Sequence, residues 1–194
     1  MYDITLRTSI IDEPLSKFLT IKERRVFRDD GSGVTVTVTG TGTNALTLVL
    51  LHESTHGTDL ACGITADPHS PFEMGIWNQK QLTPALAGSG ATSTYFRGGK
   101  LIPIGQAATV YDALAKTPFV SLYGTASPME DFAELVAWHE VLRQHHGDLV
   151  ITLRDAHGTT LGEWKPLTFR RVQKRFAEVD KLLASPTACS SLAS

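Results

Sequence analysis

The sequence predicts an α+β chain, and three observations carry that expectation. Val34-Thr35-Val36-Thr37-Val38-Thr39 alternates strictly and is β-branched at every position, the pattern of a half-exposed strand. Two long stretches, 44–60 and 127–145, carry apolar residues at helical density. A second strand-like region, Leu149–Arg154 and Thr160–Trp164, precedes a final amphipathic segment. The chain has 194 residues, 42% of them apolar and 20% charged, which suits one globular domain over 1–184 and a flexible tail over 185–194.

The elements follow in chain order. Before the alternating strand, either a strand at 21–28 pairs with it across the turn Asp29-Asp30-Gly31-Ser32-Gly33, or a helix runs over 14–26. From Asn44 onward Ala45, Leu46, Leu48, Val49, Leu50 and Leu51 predict a helix apolar nearly all round and therefore buried, with Gly63 to stop it. The segment 63–105 contains Pro68, Pro71, Pro84 and Pro103 and reads either as a flap over a site, hinged at Gly88-Ser89-Gly90 and Gly98-Gly99, or as a surface excursion with short strands. A helix is expected at 106–116. Ser127-Pro128 then opens a second buried helix ending before Gly147. A hairpin across 155–159 leads to the last helix, 167–184, with Phe169, Val172, Phe176, Val179 and Leu183 on one face.

Composition removes several classes of function. Eighteen basic and twenty acidic residues give a formal charge of −2, which leaves no strong field for nucleic acid. The basic stretch Arg170, Arg171, Lys174 and Arg175 reads as the polar face of its helix. No apolar run is long enough for a membrane span, and the first residues lack the blocks of a signal peptide. Compartment stays open: export to a periplasm or out of the cell is favoured, with Cys62 and Cys189 able to form a disulfide there. Two cysteines exclude a zinc site built on three or four thiolates. A monomer is the expected state.

The chemistry concentrates in His52-Glu53-Ser54-Thr55-His56. Histidines at i and i+4 on a helix lie on one face, so both imidazoles can reach one ion, and Glu53 projects beside them as a candidate base. Burying these groups behind Leu48–Leu51 is costly unless a cation or hydrogen bonds compensate. Asp59, three residues after His56, is placed to accept an N–H from a ligating imidazole. A catalytic zinc needs a third protein ligand, and Glu130 and Glu134, one turn apart in the second buried helix, are candidates. Ser127-x-x-Glu130 is equally a capping box, Tyr123 equally a core tyrosine, and a hydrogen-bonded polar patch would explain the histidines without metal. His139-Glu140 lacks the second histidine of such a motif and reads as helix surface. His145 and His146 suit a helix C-terminus, and His69 and His157 fall in loops.

HExxHxxD, followed by a helix reading E-x-F-A-E with Tyr123-Gly124 seven residues before its first Glu, resembles the lethal-factor-type branch of the gluzincin metallopeptidases. The resemblance spans the chain from Val34 to the end of the second buried helix and is absent from the intervening loop and the C-terminal third. It implies a zincin-like fold: a small mixed sheet packed on the metal-binding helix, and a helical lower half, here with an added hairpin and helix. It implies that His52, His56 and Glu130 bind Zn2+ and that Glu53 is the general base. Glu134 and Asp59 would support the ligands, and Tyr123 would stabilise the oxyanion. The expected activity is hydrolysis of a peptide or protein substrate, which the strand carrying Val36 and Val38 would meet by offering its edge, unless it is an ordinary paired strand. A catalytically silent zinc-stabilised binding module and a metal hydrolase of a non-peptide amide are the other classes the motif admits.

Overall fold

The computed structural model describes residues 8–184, so the expected tail, Cys189 and residues 1–7 lie outside the described residues. Helix α1 (Leu15–Arg24) is followed by the two-residue strand β1 (Phe27–Arg28), strand β2 (Thr35–Gly40) and helix α2 (Ala45–Cys62). Short pieces occupy the next forty residues: β3 (Trp77–Asn78), β4 (Gln81–Leu82), α3 (Pro84–Ala87) and β5 (Ile102–Pro103). Helices α4 (Ala107–Leu114) and α5 (Pro128–His145), strands β6 (Leu149–Arg154) and β7 (Thr160–Trp164), and helix α6 (Arg170–Ala184) complete a mixed, mainly helical α and β architecture. Among the described residues no helix is long and apolar enough to cross a membrane.

Of the two readings for 14–26, the helix is the one observed. The alternating strand therefore finds its partner elsewhere: β2 pairs antiparallel with β6, Val38 opposite Ile151, and the sheet order is β2-β6-β7. The C-terminal hairpin is thus an integral part of the main sheet, which is antiparallel throughout rather than mixed. This sheet packs chiefly on α1, whereas α2 packs on α5. The approach of α1 is close enough that a Cβ on Gly40 would meet Leu15 and Leu19 side-chain carbons at 2.7 Å.

Side chains set the helix ends. Asn44 caps α2 by accepting from the Thr47 amide at 2.8 Å, and Gly63 ends it in the left-handed region at φ 65°. Burial along α2 follows one stripe, Leu48, His52, Thr55, His56, Asp59 and Cys62, while Leu50 and Leu60 are exposed. The helix is half-buried, correcting the expectation of an all-round apolar cylinder. Ser127 caps α5 by accepting from the Glu130 amide.

The excursion at 63–105 is not a loose flap. Phe72, Ile76, Trp77, Leu82, Leu86 and Ala91 are buried in the common core, with Phe72 stacked edge-on against Phe132 of α5. In α6, Val172, Phe176 and Val179 are buried as the spacing predicts. Leu183 lies exposed, and Arg175, expected on the polar face, is buried. His139 is buried too: its Nε2 is 2.8 Å from Asp180 Oδ1, so it ties α5 to α6 instead of facing solvent.

Candidate metal centre

Helices α2 and α5 cross so that His52, His56 and Glu130 converge. His52 Nε2 is 3.0 Å from Glu130 Oε2, His56 Nε2 is 3.5 Å from the same oxygen, and the two Nε2 atoms are 3.1 Å apart. Both histidines are buried and Glu130 is partly so. A tetrahedral ion with bonds of about 2.0–2.1 Å has ligand atoms about 3.3 Å apart, and the edges of the triangle lie near that spacing. Its chemistry fits as well: two imidazole nitrogens and one carboxylate oxygen are zinc ligands, and among the described residues no other His, Cys, Asp or Glu group converges in this way.

The electrostatics follow from this crowding. Burial alone would raise the Glu130 carboxyl, but hydrogen bonds with His52 and His56 outweigh it and draw the group down to about 2. Burial would lower His52, and hydrogen bonds to Glu130 and Glu134 reverse that, raising it to about 9. In the absence of a cation the two carboxylates therefore hold His52 protonated, and a cation placed among the three atoms would displace that proton.

Supporting groups surround the triad. Glu134, buried, places Oε1 3.4 Å from His52 Nδ1 and 2.8 Å from Lys22 Nζ, while Oε2 accepts from Ser121 Oγ at 2.7 Å. Glu134 thus faces the His52 ring nitrogen turned away from the triangle. Asp59 does not. Its two oxygens accept from the Thr65 amide at 2.7 Å and the Thr65 hydroxyl at 2.6 Å, so it secures the turn after α2. His56 Nδ1 is buried without a hydrogen-bond partner among the described residues.

Glu53 and Tyr123 line one cavity of about 330 Å³ beside His52, together with Phe18, Lys22 and Phe96. The Tyr123 ring lies 5.9 Å from that of His52 and 5.1 Å from that of Phe96. Burial and the nearby Glu130 push the Tyr123 hydroxyl well above its ordinary range, so it remains a proton donor.

Val36 and Val38 are not positioned to receive a strand. Their side chains are buried, and the edge of β2 that faces away from β6 is already paired by α1. Thr20 Oγ1 accepts from the Val38 amide at 2.9 Å and donates to its carbonyl at 3.2 Å. Ser16 Oγ does the same for Gly40, at 3.1 and 3.3 Å, and Arg24 Nε donates to the Val36 carbonyl at 3.0 Å. Side chains at i, i+4 and i+8 of one helix thus replace the neighbouring strand. Lys22 and Ser121 were invisible to sequence reasoning, since Lys22 meets Glu134 across 112 residues.

No protein-family model, curated protein or solved structure matches the chain.

Proposed function

We propose that this chain is a zinc-dependent peptidase with a zincin-like framework, its metal held by His52, His56 and Glu130. The observation that carries the reading is the convergence of three ligand-type atoms from two helices at 3.0–3.5 Å, in the order the gluzincin resemblance implies. Glu53 on the wall of the adjoining cavity supports it further.

A zinc ion in that triad supplies Lewis-acid activation, lowering the pKa of a water from about 15.7 toward about 7. Glu53 accepts a proton from the water that attacks the peptide carbonyl and returns it to the leaving amine nitrogen. The Tyr123 hydroxyl donates to the carbonyl oxygen as negative charge develops there, a contribution worth about 10²–10³ in rate for one such donor. Glu134 accepts from His52 Nδ1–H and so leaves Nε2 with its lone pair facing the triad. With the β2 edge closed by α1, the substrate enters through the cavity between α1 and α2 instead of extending the sheet.

The direct test is Glu53→Gln, assayed on a diverse peptide library and for bound zinc. Turnover should vanish while zinc stays; retained turnover removes Glu53 from its role. Zinc uptake by the unsubstituted protein with no cleavage of any peptide would point to the silent binding module.

A further inference from the structure

We infer that Lys22 is a positioning residue for both the metal triad and Tyr123, an inference that rests on the zinc reading above. Lys22 comes from α1, outside every motif discussed for the site. Its Nζ donates to Glu134 Oε1 at 2.8 Å, and that same oxygen lies 3.4 Å from His52 Nδ1. The ammonium also sits 3.8 Å from the centroid of the Tyr123 ring. One cation thereby touches the group that orients a metal ligand and the side chain that faces the reacting carbonyl.

The physical need for it is plain. Glu134 is buried, and a buried carboxylate without a counter-charge shifts toward solvent or toward another donor. Either change removes the acceptor that holds the His52 ring. Lys22 and the Ser121 hydroxyl together fix Glu134 in place, one on each oxygen. Over Tyr123, the ammonium is held against the ring face, opposing rotation of the hydroxyl away from the site. Lys22 therefore works through Glu134 and Tyr123, without itself bonding to the triad.

The experiment is a cycle of Lys22→Met, Glu134→Gln and the double variant. Each is titrated with zinc against a competing chelator and substituted with cobalt(II) for its visible spectrum. Lys22→Met should bind zinc about 10–100-fold more weakly, with an altered cobalt spectrum. In the Glu134→Gln background, whose amide carbonyl still accepts from His52, the same substitution should change affinity by no more than about threefold. Lys22→Met that matches the unsubstituted protein in affinity and spectrum overturns the inference, as does an equal loss in both backgrounds. If Lys22→Met alone fails to fold, the double variant against Glu134→Gln decides. Equal affinity supports Lys22 acting through Glu134, and a further tenfold loss overturns it. An unsubstituted protein that takes up no zinc overturns the zinc reading, and this inference with it.

Discussion

Glu130 and Asp131 are neighbours in α5, yet they enter two buried clusters built on opposite principles. Asp131 accepts from Arg175 at 2.6 and 2.9 Å and from Trp77 Nε1 at 2.9 Å, and Arg175 also donates to the Pro118 carbonyl. That cluster carries its own counter-charge and fastens α6 to α5. Glu130 faces two imidazole nitrogens, which face each other, and among the described residues no lysine or arginine is bonded to it. The difference teaches how to separate a buried structural ion pair from a candidate metal centre: one closes its charge balance with an arginine, the other turns two imidazole nitrogens and a carboxylate oxygen toward a common point.

Substitutions can break the comparison from either side. Arg175→Met leaves Asp131 buried and unpaired, so unfolding stability should fall by about 3–5 kcal/mol in denaturant titrations. Zinc affinity of the folded fraction should hardly change; a loss of zinc instead would mean that the two clusters act as one. Glu53→Gln should reduce turnover by about 10²–10⁴ with unchanged melting temperature and zinc content.

Glu23 represents a third case, a buried carboxylate with neither a bidentate partner nor converging ligands. Burial, opposed by Tyr111 and Lys22 and reinforced by Glu134, raises it from 4.5 to about 7. The folded chain then keeps a proton that the unfolded chain releases, so this residue lowers stability as pH rises from 4.5 to about 7. Glu23→Gln should flatten that decline and raise stability at pH 8 by about 1–3 kcal/mol, read from thermal melts across pH. The smallest effect belongs to the capped strand edge. Thr20→Val strips both hydrogen bonds from Val38 and should cost about 1 kcal/mol.

Local signals made much of the site legible in the sequence. Asn44 and Gly63 bound α2, Ser127-Pro128 opens α5, and the i, i+4 histidine spacing lies within one turn of helix. What stayed hidden depends on long-range pairing. The partner of β2 is β6, more than a hundred residues on, and without that pairing the local pattern of α1 fits a helix or a strand. The helical spacing carries no sign of what Asp59 bonds, because its partner Thr65 lies in the turn after α2. Proline and glycine in 63–105 announced the lack of long elements but not the core contacts of Phe72 and Trp77.

The central claim is that His52, His56 and Glu130 hold one metal ion. Its most direct test is a zinc titration of chelator-treated protein, run alongside Glu130→Ala and Glu134→Ala. The account predicts one zinc per chain, abolished by Glu130→Ala and weakened about 10–100-fold by Glu134→Ala. No zinc uptake, or zinc that survives Glu130→Ala but not Glu134→Ala, would contradict it.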